Sequence, residues 1–243
     1  MAKRVRIDRL LVERGLFESR AKAQQAIAAG LVTADGVTIR KPADEISPDA
    51  ALQAEPAHPW VSRGGVKLAA ALDHFGIDPT GRISLDVGAS TGGFTQVLLA
   101  RGARRVYAVD VGRGQLHASL RDRPDVVAIE ATDIRKLDSS QLKEPPDLVT
   151  VDVSFIPLKL VLPAALALAR HAAEVVVLIK PQYEAGPDHV KKGVVRDPAI
   201  HQQVCASALE LLLSLGWAPA GIIPSPIAGG DGNHEFLIAA RRG

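Results

Sequence analysis

The sequence predicts an α/β protein in two parts, a small α+β module followed by a larger body with a mostly parallel sheet. Three observations support this prediction. The 243 residues are 47% hydrophobic and 23% charged, which is the composition of a globular chain. Basic residues concentrate in the first 41 positions, and apolar strands alternate with helical segments from about residue 65 onward.

The net charge of +2 is divided unevenly along the chain. Residues 1–41 contain nine Lys or Arg against four acids, a net charge of +5, and the remaining 202 residues contain 20 basic and 23 acidic groups, a net charge of −3. A basic module on a mildly acidic body is typical of a polyanion-binding domain linked to another domain. A short helical domain with solvated basic side chains is the alternative, and charge alone does not separate the two.

The first part has the pattern of two helices and a hairpin. Ser19 is placed to cap the second helix. The dipeptide Asp35-Gly36 indicates a tight hairpin, because glycine accepts positive φ without steric cost. The predicted elements are helices over 6–14 and 20–29 and strands over 31–34 and 37–40, followed over 41–59 by a Pro- and Ala-rich tail and linker.

The second part alternates strands with helices, which predicts a parallel sheet covered on both faces. Its last two strands follow a long helix and are joined by a glycine-rich turn, so we expect an antiparallel hairpin at the sheet edge. The predicted elements are helices over 65–75 and 198–215, and strands over 83–87, 106–109, 126–129, 148–153, 175–179, 218–224 and 235–240.

Composition also argues against several classes of protein. The single cysteine, Cys205, forbids an internal disulfide and a cysteine-based zinc site, and the seven histidines have no ligand spacing, so no metal is expected. The longest apolar stretch, 160–169, is shorter than the ~20 residues that a membrane span requires. The basic N-terminus lacks a following apolar core, so we expect a cytoplasmic protein that does not enter a membrane.

The segment 85–102, LDVGASTGGFTQVLLARG, joins an apolar strand to a helix through a glycine-bearing turn. Small residues let the backbone approach a ligand, and the helix N-terminus presents unpaired N–H groups. The spacing Gly88-x-x-x-Gly92-Gly93 differs from the dinucleotide fingerprint, and no Lys-Ser/Thr follows as in a P-loop. The segment therefore predicts a nucleotide or nucleoside site at the carboxyl ends of the strands.

Two further acids follow the next strands. Asp110 ends the second strand, where a carboxylate can bind both ribose hydroxyls, and Asp133 follows the third, where an acid can accept from an adenine amino group. With Asp86 and Gly88 they resemble the S-adenosylmethionine site of class I methyltransferases, which implies that Asp86 lies near the methionine ammonium. The predicted cofactor-binding residues are Asp86, Gly88, Ser90, Gly92, Gly93, Phe94, Asp110, Val111, Asp133 and Ile134.

Four charged residues form the candidate catalytic set. Asp152 and Lys180 end the fourth and fifth strands, Lys67 lies in WVSRGGVKL, and Glu235 lies in GGDGNHEF. In order and context they resemble the Lys-Asp-Lys-Glu tetrad of ribose 2′-O-methyltransferases of the FtsJ/RrmJ type. A ribose hydroxyl is a poor nucleophile at neutral pH, so a basic group must remove or polarise its proton, and Lys180 is the candidate.

The basic module resembles an S-four-type RNA-binding domain, through Asp8-x-x-Leu11, Ser19-Arg20-x-x-Ala23 and Gly30-x-Val32. Together the two parts resemble the TlyA, or hemolysin A, family over essentially the whole chain. The resemblance implies a class I, Rossmann-like body with a seven-stranded sheet, and methylation of cytidine ribose in ribosomal RNA or ribosomal subunits with S-adenosylmethionine as donor. The expected domains are 1–58 and 65–243, with a linker over 59–64. The expected RNA-contacting residues are Arg6, Arg20, Lys22, Arg40, Lys41 and Arg63.

Other functions stay open at this point. A class I fold also permits methylation of an RNA base. The family name hemolysin suggests a membrane-lytic protein, although the sequence lacks a basic amphipathic helix with a strong apolar face. An RNA-binding or ribosome-assembly factor without catalysis is a third interpretation, against which the intact tetrad counts. The oligomeric state is not determined by the sequence, and a monomer is the favoured expectation.

Overall fold

The computed structural model describes residues 4–243, so Lys3 of the basic segment lies outside the described residues. The chain divides into two compact units after Pro59. The linker predicted over 59–64 stays a prediction, although helix α3 of the second unit (Gly64–Phe75) already includes residue 64.

The N-terminal unit contains the two helices and the hairpin that the sequence predicts. Ser19 caps the second helix by accepting a hydrogen bond from Lys22 N–H. Asp35 and Gly36 adopt φ angles of 50° and 77°, as a two-residue hairpin turn requires. Its elements are β1 (Val5–Arg6), α1 (Ile7–Glu13), α2 (Arg20–Ala28), β2 (Val32–Ala34), β3 (Val37–Thr38), β4 (Glu45–Ile46) and β5 (Leu52–Ala54).

Three short strands of this unit are absent from the sequence prediction. Strand β1 pairs antiparallel with β4, and β5 pairs antiparallel with β2, which gives a three-stranded sheet in the order β3-β2-β5. Strands β4 and β5 lie in the stretch predicted as tail and linker. Strands of two or three residues are too short to show alternation, and β1, β4 and β5 lack the turn dipeptide that indicates the β2–β3 hairpin.

The second unit contains the predicted alternation of strands and helices. Its helices are α3 (Gly64–Phe75), α4 (Gly93–Ala100), α5 (Ala118–Arg121), α6 (Leu158–Ala167), α7 (Pro181–Glu184) and α8 (Pro198–Ser214). Its strands are β6 (Ile83–Val87), β7 (Arg105–Val109), β8 (Val126–Ile129), β9 (Leu148–Val151), β10 (Ala173–Ile179), β11 (Ala218–Pro224) and β12 (Phe236–Arg242).

The seven strands form one sheet in the order β11-β12-β10-β9-β6-β7-β8, which confirms the predicted architecture. The five strands from β6 to β10 are parallel, and β12 runs antiparallel beside β10 with β11 at the edge. Ile179 at the end of β10 pairs with Phe236 at the start of β12. The residues just after β10 and just before β12 therefore lie at the same edge of the sheet.

Both faces of the sheet are covered, as the apolar strands require. Alternate residues of β10 belong to different cores: Val177 packs in one hydrophobic cluster and Val176 in the other. The first core includes the fully buried Trp217, and the second includes Leu68 of α3 and Leu98 of α4. This packing holds α3 and α4 on one face, with their N-termini near the carboxyl ends of the strands.

The described residues contain neither a helix that could span a membrane nor a cluster of metal-ligating side chains. No helix within residues 4–243 is both long and apolar enough to cross a membrane. Over the same residues, no three His, Cys, Asp or Glu side chains are grouped so that they could hold a metal ion. Cys205 is a free, partly buried cysteine, and burial raises its pKa to about 11, so its thiol is protonated at neutral pH.

Candidate active site

A cavity of about 440 Å³ lies where β6, β7 and β9 end, a volume suited to a small ligand. Its wall combines carboxylates with the apolar side chains of Val87, Val109 and Ile156. We call it the cofactor cavity. Six of the ten predicted cofactor-binding residues line it, namely Gly88, Ser90, Asp110, Val111, Asp133 and Ile134.

Asp110 is held by the backbone of two turns. Ser90 N–H donates to its Oδ2 at 2.8 Å, and Gly112 N–H donates to its Oδ1 at 2.7 Å. Each carboxylate oxygen has two lone pairs, so one on each oxygen stays available to a ligand. The side chain is therefore a fixed acceptor at the cavity wall, suited to a pair of hydroxyl groups.

Asp133 is held by its neighbour Arg135. The Arg135 backbone N–H donates to Oδ1 at 3.0 Å, and its guanidinium Nη2 donates to Oδ2 at 2.5 Å. The side-chain hydrogen bond from Arg135, aided by the backbone bond, lowers the pKa of Asp133 to about 2. Arg135 Nε also donates to both carboxylate oxygens at 3.0 Å, so Asp133 is ionised and Arg135 occupies both oxygens. Arg135, which was not among the predicted residues, lines the cavity beside it, and a ligand amino group would have to share Asp133 with it.

Asp86 is held by two threonines of neighbouring elements. Its side chain is fully buried and does not line the cofactor cavity. Thr95 Oγ1 donates to one carboxylate oxygen at 2.7 Å, and Thr150 Oγ1 donates to the other at 3.1 Å. Burial raises its pKa to about 7. In this structure Asp86 joins β6, β9 and α4, and its contact with a methionine ammonium stays a prediction.

The other three predicted residues also pack rather than line the cavity. A Cβ on Gly92 would lie 2.4 Å from Leu120 Cδ1, and one on Gly93 would lie 2.1 Å from Ser62 Oγ. Phe94 is 3% exposed and packs in the core with α3. These residues set how closely α4 approaches its neighbours, and their contact with a cofactor stays a prediction.

Gly88 combines both roles. It lines the cavity, its φ is 84°, and a Cβ there would lie 2.3 Å from the backbone oxygen of Asp152. The turn after β6 and the chain after β9 therefore touch backbone to backbone. Only glycine fits this position, because both the φ angle and the close approach exclude a side chain.

The four residues of the predicted tetrad form two ion pairs. Lys67 of α3 contacts Glu235, which precedes β12, and the two side chains are 8% and 2% exposed. Lys180 Nζ lies 2.6 Å from Asp152 Oδ1 and donates to Ser154 Oγ at 2.9 Å. The structure thus brings each lysine of the tetrad to one of its carboxylates.

A glycine makes room for the buried pair. A Cβ on Gly229 would lie 2.0 Å from Glu235 Oε1, whereas a Cβ on Gly230 would meet nothing within 4 Å. In the turn before β12, glycine is therefore required at residue 229, because a side chain there would overlap that of Glu235.

A second cavity, of about 360 Å³, adjoins the first. Lys180 and Glu235 line it, and Ser154 and Phe155 line both cavities. We call it the acceptor cavity. Because the two cavities share Ser154 and Phe155, a group bound in one can face a group bound in the other at the Lys180 amine.

Ser154 and Phe155 were not among the predicted site residues. Phe155 is 88% exposed with a φ of 64°, and its ring lies 5.0 Å from that of Tyr183, which also lines the acceptor cavity. An exposed aromatic side chain on strained backbone is typical of a functional site. The available signal was the segment VDVSFI, directly after a buried strand that ends in an acid.

The predicted RNA-contacting residues of the N-terminal unit fall into two groups. Arg6 and Arg20 are half-exposed and both bind the buried Asp8, with Nη2 to Oδ2 distances of 3.0 and 2.8 Å. Hydrogen bonds from Arg6 outweigh the effect of burial and hold the pKa of Asp8 well below its usual range. Asp8 thus fixes two guanidinium groups side by side.

The remaining predicted RNA-contacting residues differ in whether their charged groups already have a partner. Lys22 forms an ion pair with Glu18 at 2.5 Å. Arg40 and Lys41 are exposed and form no ion pair with any residue in the described range 4–243. Arg63 in the second unit is exposed, with Nη1 3.5 Å from Ala228 O.

Comparisons with known proteins agree with this architecture. Residues 60–242 match the FtsJ-like methyltransferase family, and residues 5–52 match the S4 domain. A putative hemolysin from Streptococcus thermophilus has a similar structure, with a TM-score of 0.79 and 38% identity, covering 100% of this chain and 90% of that chain. A putative S-adenosylmethionine-dependent methyltransferase from Listeria monocytogenes shares the fold at 12% identity, with a TM-score of 0.56 over 74% of this chain and 98% of that one.

Curated relatives extend over nearly the whole chain. The 16S/23S rRNA (cytidine-2′-O)-methyltransferase TlyA of Mycobacterium tuberculosis is 45% identical over 244 residues, covering 99% of this chain and 91% of that protein. Hemolysin A of Brachyspira hyodysenteriae is 37% identical over 235 residues, covering 96% of this chain and 98% of that protein. This chain therefore belongs to the FtsJ-like methyltransferases and, among them, to the TlyA, or hemolysin A, family.

Proposed function

We propose that this protein transfers a methyl group from S-adenosylmethionine to the ribose 2′-oxygen of a cytidine in ribosomal RNA. The observation that carries the proposal is the junction of the two cavities, where Lys180 is held by Asp152 and Ser154. The name and 45% identity of the mycobacterial relative support the choice of cytidine and of ribosomal RNA.

The residues of the cofactor cavity fit S-adenosylmethionine. Asp110 presents one acceptor position on each oxygen, which suits the two ribose hydroxyls, and the ionised Asp133 suits an adenine amino group. The apolar walls at Val87, Val109 and Ile134 suit the faces of a purine. When bound, the cofactor supplies an electrophilic methyl group on a sulfonium.

Lys180 acts as the base in this proposal. Its amine is fixed by Asp152 at 2.6 Å and by Ser154 at 2.9 Å, and it lines the acceptor cavity. Once the Lys180 ammonium has released its own proton to solvent, the amine takes the proton of the ribose hydroxyl as the oxygen attacks the methyl group. Fixing the amine at the junction supplies the orientation that an in-line transfer requires.

The Lys67–Glu235 pair supplies a rigid wall of the acceptor cavity. Glu235 lines the cavity, while Lys67 contacts it from the buried side and balances its charge. The carboxylate can therefore accept a hydrogen bond from the ribose without leaving an unpaired charge in the interior. Its role is to position the sugar relative to Lys180.

The aromatic pair of Phe155 and Tyr183 suits the target base. Their rings are 5.0 Å apart and both line the acceptor cavity. RNA enzymes that modify a nucleotide take it out of its stack and replace the stacking with aromatic side chains. We infer that this pair supports the displaced cytosine while the ribose faces Lys180.

The N-terminal unit is proposed to capture the RNA. Arg6, Arg20, Arg40 and Lys41 offer cations for phosphate groups, which contribute affinity with little sequence information. The 2′-hydroxyl itself excludes DNA, since DNA has no such group to methylate. The cytoplasm, where ribosomes are assembled and used, is the proposed site of action.

The test is incubation of unmodified ribosomal subunits with the full chain and methyl-labelled S-adenosylmethionine, followed by mapping of the labelled nucleotide. We expect label in 2′-O-methylcytidine. Lys180→Ala should abolish transfer while calorimetry shows unchanged S-adenosylhomocysteine affinity, and Lys143→Ala, at an exposed lysine outside both cavities, is the matched control. Label on a base, no labelled RNA, or turnover by Lys180→Ala contradicts the proposal.

The relative named hemolysin makes a membrane activity worth a direct test. Purified chain should release no dye from liposomes under conditions where it methylates RNA. Leakage without methylation would favour a membrane-lytic function.

A further inference from the structure

A tight turn at the rim of the acceptor cavity has no role in the proposed methyl transfer. Lys191 N–H donates to Val194 O at 3.0 Å and Val194 N–H donates to Lys191 O at 3.1 Å. Lys192 and Gly193 at the tip have φ angles of 51° and 78°, the values of a two-residue hairpin turn. Val190 and Gly193 line the acceptor cavity, so the turn forms part of its rim.

A buried amide fixes this turn. Asn233 is 2% exposed, and its Nδ2 donates to Gly193 O at 2.8 Å and to Gly230 O at 3.1 Å. Val195 N–H donates to Asn233 Oδ1 at 3.2 Å. Both donor hydrogens of the amide are used, and the turn is tied to the segment that leads into Glu235. The tip therefore has a defined position relative to the catalytic residues.

The turn is basic, and its cations are available. Lys191, Lys192 and Arg196 are exposed, and none of them forms an ion pair with another residue of the described range 4–243. Asp188 is the acid of the segment 187–196, which carries a net charge of +2 with His189 neutral. A second acid, Asp231, lies near the tip, with Oδ2 3.7 Å from the Cβ position of Gly193.

We propose that this turn binds the phosphates on either side of the target nucleotide, as a second RNA contact within the methyltransferase unit. The inference rests on the proposed function, because it takes the acceptor cavity as the site of the target ribose. Cations on a rigid turn beside that cavity suit the backbone of the strand that enters it. The contact adds affinity and fixes the strand, so it acts on the KM for RNA.

The test compares Lys191→Glu/Lys192→Glu with wild type, and Lys143→Glu serves as the charge-reversal control at an exposed lysine away from the cavities. Methylation of ribosomal subunits is measured as kcat/KM at several salt concentrations. Separately, fluorescence anisotropy measures binding to a labelled fragment of ribosomal RNA. Thermal unfolding and S-adenosylhomocysteine affinity show that the variants are folded.

We expect the RNA affinity of the double variant to fall about tenfold at low salt. Its kcat/KM should fall because KM for RNA rises while kcat stays the same. The slope of log affinity against log salt should become shallower by about 0.7 for each phosphate that the variant no longer neutralises. Lys191→Gln/Lys192→Gln should also lower RNA affinity, but by a smaller factor. Lys143→Glu should bind RNA as the wild type does.

Wild-type affinity and salt slope in the double variant would overturn the inference even if methylation is intact. If the wild type transfers no methyl group to RNA, the proposed function fails. The anisotropy assay then still decides whether the turn binds RNA.

Discussion

The buried Lys67–Glu235 pair allows a quantitative prediction. Lys67→Met removes the cation and leaves the glutamate buried without a partner, and Glu235→Gln leaves the lysine in the same situation. The side chains are 8% and 2% exposed, so the remaining charge has little contact with water, although Glu235 reaches the acceptor cavity. The double variant Lys67→Met/Glu235→Gln removes both charges at nearly constant volume.

The expected magnitude follows from the burial of the pair. Removing one partner of a buried ion pair costs about 3 to 5 kcal/mol, because the other charge is left uncompensated. For a unit of the size of residues 60–243, this lowers Tm by roughly 6 to 20 °C. The double variant should lie within about 1 to 2 kcal/mol of wild type, since it contains no unpaired charge.

Tryptophan fluorescence is the suitable assay, because Trp60 and Trp217 are the two tryptophans of the chain and both lie in the second unit. Urea unfolding of the full chain at about pH 7.5 should give a coupling energy of about 3 kcal/mol or more in a double-mutant cycle. Single variants that each cost less than about 1 kcal/mol, or costs that simply add, would refute the conclusion that each charge of this largely buried pair depends on the other.

Three further predictions concern other positions. Gly229→Ala should reduce methyl transfer at least tenfold by displacing Glu235, whereas Gly230→Ala, whose Cβ meets nothing within 4 Å, should retain it; equal kcat values for the two variants would contradict the steric argument. Burial raises the pKa of Asp86 from 3.8 to about 7, so the folded protein keeps that proton while the unfolded chain has lost it, and stability falls as pH rises from about 4 to 7. Asp86→Asn should remove this pH dependence, so above about pH 7 it should be more stable than wild type by up to about 4 kcal/mol. The same difference in the free energy of urea unfolding between variant and wild type at about pH 5 and at about pH 8 would contradict this prediction. Arg40→Glu/Lys41→Glu should weaken binding to ribosomal RNA at least tenfold with unchanged S-adenosylhomocysteine affinity, and loss of cofactor affinity instead would contradict the division of labour between the units.

The geometry of the N-terminal unit decides which arginines can be tested. Charge reversal at Arg6 or Arg20 would bring a carboxylate against the buried Asp8, so reduced RNA binding would be confounded by unfolding. Arg40 and Lys41 avoid this problem because they are exposed and outside that cluster. The sequence prediction treats all four alike, because a linear pattern does not show which cations share a buried counterion.

The sheet could be predicted from sequence because each of its strands is a continuous apolar run bounded by turn residues. Asp110 and Asp133, which follow two of those runs, line one cavity at the edge of the sheet, and their role in binding a ligand stays a prediction. Asp86 shows the limit of this argument. It lies near the end of a buried strand like a ligand-binding acid, but its carboxylate is enclosed by two threonines. Only the side-chain partners distinguish the two cases.

Lys67 and Glu235 could be recognised from sequence only through family resemblance, for a topological reason. Lys67 and Glu235 are separated by 168 positions, and no local period relates them. Their contact depends on β12 entering the sheet antiparallel beside β10, so that Phe236 pairs with Ile179. With this register, the residue before β12 and the residue after β10 meet at one edge, and Glu235 and Lys180 line one cavity. A parallel final strand would carry the glutamate to the opposite edge, so the antiparallel hairpin is what brings Glu235 and Lys180 to one cavity.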